Sequence, residues 1–332
     1  MDMTGPMPPA IARGAAAPSP AAYSNRAWRA IASRVWRNSG RRHLGLMSAG
    51  VAFYAFLSFV PLLAALVMIY ALFADPEAVA RHMHFAFEAL PRDAARIIAD
   101  QLATLTEDQT DQKGLGLIVA LALSIVSASR AARAMMDALN VIYEQTECRS
   151  LIRSTLISAA LVVAALVTAL VGLAAAGLVG YARGLIGSGG AFFGGTAQVA
   201  AWLIAALLCS LLLASVYRFA PDRADARWRW LSLGAAMGTL MWLAATFGFG
   251  LYAANFARYE VTYGSLGAVV ALLMWLFVSA YAVLLGALIN AEAERQTARD
   301  TTTGRPLPMG RRGATMADMS SAIGTPSVRQ RE

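Results

Sequence analysis

Charge is what this sequence has least of. Charged residues are 14% of 332 and hydrophobic residues 58%, with mean hydropathy +0.54; a soluble chain would carry roughly a quarter charged. Such a composition excludes an ordinary water-soluble domain. The two cysteines, Cys148 and Cys209, have no metal-ligand spacing and offer no disulfide framework. The three histidines are His43, His82 and His84. His84 and Glu88 are four apart and could share a metal on one helix face, but the pattern reads better as a solvated surface. No metal site and no cofactor are therefore expected. The first 22 residues are rich in Ala and Pro and lack the apolar core of a cleavable signal peptide.

What fills the chain is apolar sequence. Long runs cover about 45–73, 151–181, 196–219, 230–254 and 264–290, and a short one covers 115–128. A helix needs roughly 20 residues to cross a hydrocarbon core, so the five long runs suffice and the short one is marginal. The runs are unbroken and do not alternate, which predicts helices and not barrel strands. Arginines occupy every second gap. Arg26–Arg42, Arg130–Arg153, Arg218–Arg229 and Arg295–Arg312 bracket the basic gaps, whereas the gap before Lys113 is acidic and the other two hold only Arg183 and Arg258. Basic loops stay in the cytoplasm. The alternation closes only if 115–128 crosses, which gives an all-α protein of six transmembrane helices with both termini inside. The net charge of +8 is then a topology signal. Nucleic-acid binding would need a basic soluble domain, which is missing.

Residues 24–38 predict an amphipathic interfacial helix, with Trp28, Ile31, Ala32 and Val35 on one face and arginines on the others. The gap between the first two crossings predicts two outer amphipathic helices divided by Pro91. In 129–144, Arg133, Asp137, Asn140 and Glu144 follow i, i+4, i+7, i+11 beside Arg130. Two readings of this stripe stand: a helix flat on the cytoplasmic surface, or a continuation of the short crossing whose stripe lines a wet cavity. Gly172, Ala176 and Gly180, and likewise Gly234 and Gly238, are spaced for close helix packing. Pro61 interrupts the first span and predicts a bend near Tyr54 and Ser58. Residues 1–23 and 301–332 have the composition of disordered ends around one domain over 24–300.

Four segments carry a resemblance: Ala49–Leu66 (AGVAFYAFLSFVPLLAAL), Ala128–Glu144 (ASRAARAMMDALNVIYE), Tyr217–Trp230 (YRFAPDRADARWRW) and the stretch from Tyr259 to Gly304. In this order they resemble the YihY/BrkB family, UPF0761-type bacterial inner-membrane proteins historically labelled ribonuclease BN-like or virulence factor BrkB. The resemblance implies six helices in the inner membrane and an activity that is unsettled, with proposals leaning towards transport of lipids or envelope solutes. The family's last span usually carries Glu in a GAELN segment, where this chain has Leu288. A mechanism relying on that carboxylate could not run here, and Glu292 lies one turn further along.

Three functions were weighed. RNA cleavage needs an acid–base pair or metal cluster with a backbone-binding surface, and the cytoplasmic carboxylates show no such spacing. A transporter or flippase for an anionic or lipidic solute fits the polar stripe, the proline and the arginines. A non-transporting scaffold is the alternative. The residues expected to line a solute path are Tyr54, Ser58, Pro61, Arg130, Arg133, Asp137, Asn140, Arg218, Tyr263 and Asn290. Expected partners are anionic lipid head groups on the cytoplasmic side and an unidentified solute, not nucleic acid; homo-oligomerisation is left open.

Overall fold

The computed structural model describes residues 15–73, 113–186, 191–256 and 265–321. Over these residues the protein is all-helical, without a strand. After a 3-10 turn at Pro20–Ala22 come α1 (Asn25–Arg41), α2 (Leu44–Phe73), α3 (Lys113–Ile142), α4 (Leu151–Ile186), α5 (Ala191–Phe219), α6 (Trp228–Phe256), α7 (Ser265–Glu294) and the short α8 (Thr315–Asp318). The predicted outer helices, with His82, His84 and Glu88, and also Tyr263, lie outside the described residues.

Ser24 starts α1 in the way its hydroxyl allows. Its backbone is extended, and its Oγ accepts from the Ala27 N–H at 3.4 Å. Helix α2 runs through Pro61 as one element, so the proline does not end it. Helix α3 joins the short apolar run and the polar stripe into one helix of 30 residues. At 1.5 Å per residue it is about 45 Å long, so the crossing is short in apolar sequence but not in helix.

The α3 C-terminus is a Schellman turn. Glu144 adopts φ 53, Gln145 N–H donates to Asn140 O at 2.8 Å, and Glu144 N–H donates to Val141 O at 3.3 Å. Glycine usually takes this left-handed position. Here Arg42 holds the turn, donating to Ile142 O and to the Glu144 carboxylate. Glu144 is thus the residue that turns the chain, not the last member of a helical stripe.

Helices α2 to α7 each pack on the next, and α7 closes back on α2 and also meets α3 and α1. The core near their polar ends is apolar: Leu139 and Ile142 of α3, Leu231 of α6, and Leu284 and Leu288 of α7 are fully buried. The outward faces are apolar too, with Leu156 and Val163 of α4, Leu203 and Leu207 of α5, and Leu240 and Phe247 of α6 exposed. A surface this apolar suits lipid. Four stretches among the described residues are long and apolar enough to cross a membrane: Leu151–Gly172, Trp202–Phe219, Trp228–Tyr252 and Val269–Glu294. Leu44–Ser58 is a shorter apolar stretch.

The two glycine series differ. Gly234 and Gly238 sit where α6 crosses α7: a Cβ on Gly238 would stand 3.0 Å from Tyr217 Oη, and one on Gly234 would overlap Gly286 O. A Cβ on Gly172 would meet nothing within 4 Å, so Gly172 makes no close helix contact. The surroundings of Ala176 and Gly180 lie outside the described residues.

The ends also depart from expectation. Residues 15–23 pack on α7, with Tyr23 buried and its Oη donating to Ala293 O at 2.7 Å. Residues 301–321 fold back on the α5–α6 loop: Ala226 bridges Thr302, Arg227 N–H donates to Thr301 O at 2.9 Å, and Ala224 N–H to Gly313 O at 2.9 Å. Arg312 is buried and its Nη1 and Nη2 bind the carbonyls of Ala317 at 2.6 Å and Ala298 at 2.8 Å. Composition understates their order: Ala17, Tyr23 and Met316 reach the apolar core, and backbone groups and the Arg312 guanidinium hold the rest.

Asp300 organises the turn, accepting from Thr302 N–H at 2.9 Å and Leu307 N–H at 2.8 Å. Burial pushes its carboxyl up, but the two backbone donors, the Thr302 hydroxyl and Arg312 together hold it below the usual carboxylate range. A depressed folded-state value stabilises above the unfolded value, near 3.9, and that contribution is lost as pH falls through the folded one. Protease cleavage in 301–321 should therefore rise on acidification below about pH 4. Asp300→Asn should raise cleavage at neutral pH and flatten its pH dependence; an unchanged profile would remove Asp300 from this role.

Candidate functional site

Helix α7 ends in Asn290, Glu292, Glu294 and Gln296, and each is a tie to another element. Asn290 is fully buried: its Oδ1 accepts from Gly234 N–H at 2.7 Å and its Nδ2 donates to Leu231 O at 3.1 Å. Glu292 and Glu294 point to opposite sides, as residues two apart on a helix must. Glu292 accepts from Arg34 Nε at 2.7 Å and Asn38 Nδ2 at 2.6 Å, and Arg34 Nη2 also reaches Gln296 Oε1 at 2.7 Å. This clamps α1 across the end of α7. Glu294 takes a forked pair from Arg223, at 2.5 and 3.2 Å, with the guanidinium carbon 4.1 Å from the Tyr143 ring centre. Both side chains of that pair are out of solvent.

The α3–α4 and α5–α6 loops are tied in the same manner. Asn140 is buried; it donates to Glu147 at 2.9 Å and accepts from Asp222 N–H at 2.8 Å. Arg149, hydrogen-bonded to Glu147 at 2.7 Å, holds the Glu147 carboxyl below the usual range and also caps α5 through Ala220 O at 2.7 Å. Arg218 donates to Ala226 O and lies over the Trp228 ring at 5.1 Å. Asn140, Arg218 and Asn290 thus each help to hold loops and helices together.

The remaining candidates separate from these. Arg130, Arg133 and Asp137 are exposed on α3, in a stripe that continues through Val126 on one side and Val141 on the other. Arg133 reaches across to α4, donating to Thr155 Oγ1 at 2.6 Å. Asn140 falls about 60° to one side of Asp137 around the helix axis, on the buried side, whereas Val141 falls about 40° to the other, on the exposed side. Ser58 is buried and donates to Tyr54 O at 2.8 Å, while the Tyr54 ring is part-exposed. Tyr263 and the surroundings of Pro61 lie outside the described residues, and the structure does not gather the other eight candidates into one site. It makes three of them structural and leaves a charged outer stripe of three. The buried ionic groups Glu292, Glu294 and Arg312 were not in the predicted set. Two acids two residues apart in an arginine-rich stretch were the available signal for the first pair. Among the described residues no three His, Cys, Asp or Glu side chains are placed to hold a metal.

The helical, lipid-suited bundle with a polar end is the architecture of a membrane protein, and comparison with known proteins places it. The family described as Virulence factor BrkB matches residues 35–308, so the chain belongs to that family. A UPF0761 membrane protein of Psychromonas ingrahamii is 25% identical over 265 residues, covering 78% of this chain and 86% of its own. Another, of Ralstonia nicotianae, is 27% identical over 267 residues, covering 79% of this chain and 58% of its own, so this chain spans little more than half of that relative. YfkH of Bacillus subtilis, named as a ribonuclease-like protein, is 26% identical over 193 residues, 57% of this chain and 70% of its own. No solved structure matches.

Proposed function

We propose that this protein transports or flips an anionic or lipidic envelope solute across the bacterial inner membrane, with charged head groups tracking the outer stripe of α3. The observation that carries it is the exposure of Arg130, Arg133 and Asp137 on a helix otherwise apolar on that face. Arg130 lies twelve residues, about 18 Å, from the α3 C-terminus. Ionisable side chains so far along a spanning helix are costly in lipid and mark solute paths. Guanidinium groups suit carboxylate and phosphate oxygens. The reading takes six crossings with both termini inside, which sets the arginine-rich end in the cytoplasm and lays α1 in the interface. It places the path on the outer face because Leu139, Leu284 and Leu288 close the core at that end.

The closed core also favours a second reading, a non-transporting scaffold. Reconstituted vesicles separate the two. Flux of fluorescent phospholipids or organic anions should exceed that of protein-free vesicles under the transport reading. Arg133→Ala should bring it down to the protein-free level with insertion unchanged. A fully active variant returns Arg133 to the role of surface charge, and no flux from the wild type leaves the scaffold.

A further inference from the structure

A second feature lies elsewhere, sharing no residue with the α3 stripe. Helix α1 does not lie flat on its neighbours along its whole length. Ala27 and Ile31 are buried, but Trp28, Ala32, Val35 and Trp36 overhang a groove of about 580 Å³ whose floor is Leu285 and Ile289 of α7 and whose wall is Leu233 and Met237 of α6. The clamp of Arg34 on Glu292 keeps α1 bridged over α7, so the slot is built into the fold.

The groove has a charged entrance. On α6, residues 229, 233 and 237 are spaced four apart, so Arg229 stands about one turn from Leu233 and two from Met237 along one side of the helix. On α1, residues 29, 32 and 36 share a face, so Arg29 flanks Ala32 and Trp36. The two arginines are at the same end, because α1 begins against the start of α6: Tyr23 packs on Trp28 at 5.7 Å and on Trp230 at 6.1 Å. Both are exposed, and neither is ion-paired to a described carboxylate, unlike Arg34, Arg149, Arg218 and Arg223 beside them. Trp36 is 83% exposed at the rim, the amphipathic ring type that sits at head-group level.

We propose that this groove is a specific site for one anionic phospholipid, with an acyl chain between α1, α6 and α7 and the phosphate held by Arg29 and Arg229. An apolar slot with two uncompensated guanidinium groups at one end is complementary to an amphiphile with a negative head. A zwitterionic lipid offers the same phosphate but brings its own cation against the arginines. The site stands or falls independently of flux along α3, since it needs only that the chain is a membrane protein.

The test uses the full chain in vesicles of phosphatidylcholine and phosphatidylglycerol, with a trace of phosphatidylglycerol bearing a photoactivatable acyl chain. Labelled peptides mapped by mass spectrometry should concentrate on 233–237 and 281–289. Unlabelled phosphatidylglycerol should compete severalfold better than phosphatidylcholine, and Arg29→Gln with Arg229→Gln should abolish that difference. These two residues are exposed, so the double variant should fold. Leu285→Trp, which fills the slot, should remove labelling there and leave labelling of 156–167 on α4 unchanged. Labelling no denser in the groove than on α4, competition indifferent to head group, or crosslinks joining two copies of the chain would each overturn the proposal.

Discussion

Arg223→Met should lower stability by about 3–5 kcal/mol, among the largest effects expected of a single side chain here. Arg223 and Glu294 are both out of solvent, and among the described residues the fork between them is the direct contact each makes with an opposite full charge. Removing the guanidinium strands a carboxylate at the end of α7, next to the Tyr143 ring. The α5–α6 loop would lose one of its ties at the same time, and residues 301–321 rest on that loop. Arg223→Met with Glu294→Leu should recover most of the loss, because a buried pair replaced by apolar groups is often neutral or better. Unfolding of the detergent-purified protein, followed by the fluorescence of Trp228 and Trp230, would measure both. A single variant within about 1 kcal/mol of the wild type would mean that the pair is hydrated and behaves like a surface bridge.

That pair also shows where sequence reading stopped. The apolar runs announced their helices because length and hydropathy are properties of each segment alone. Whether 115–128 runs on into the polar stripe was one of two readings the residues left standing, and α3 joins the two in one helix. What one chain cannot display is which polar group meets which. Glu294 and Arg223 are 71 residues apart, and Arg34 and Glu292 are 258 apart. Their meeting depends on α7 closing the ring of helices, a tertiary event with no local signature. For the same reason Asn140 and Asn290 read as free polar groups near a cavity, although each meets a backbone partner from a distant element, and Arg218 meets Ala226 O of the loop that follows it. In residues 301–321 glycine, proline and serine suggest a segment without fixed contacts, but Arg312 and Asp300 supply hydrogen bonds and Met316 enters the apolar core. The absence of a glutamate at Leu288 has a structural counterpart. Leu288 is fully buried in the apolar core, so a carboxylate there would need a partner that this chain spends elsewhere.

The glycines permit the sharpest contrast. Gly286→Ala should destabilise by about 3 kcal/mol or more, the upper end for overpacking, whereas Gly172→Ala should be neutral or stabilise by up to about 1 kcal/mol. Small residues at a spacing of four look equivalent in α4 and α6, and Gly286 is the residue of α7 that Gly234 and Gly238 of α6 meet. At Gly286 a Cβ would stand 2.6 Å from Gly234 O and 2.6 Å from Tyr217 Oη. The first is backbone of the crossing helix and cannot turn away. The second is held by its own hydrogen bond to Val283 O at 2.7 Å. Relief requires α6 and α7 to separate, which would also break the Asn290 bonds to Gly234 and Leu231. Gly172 has no neighbour within 4 Å, so an added methyl there meets no protein and gains the helix preference of alanine. Thermal unfolding in detergent of the two single variants decides the matter. If Gly286→Ala melts with the wild type, the α6–α7 crossing is looser than its backbone distances require, and the polar end is held by its ion pairs instead.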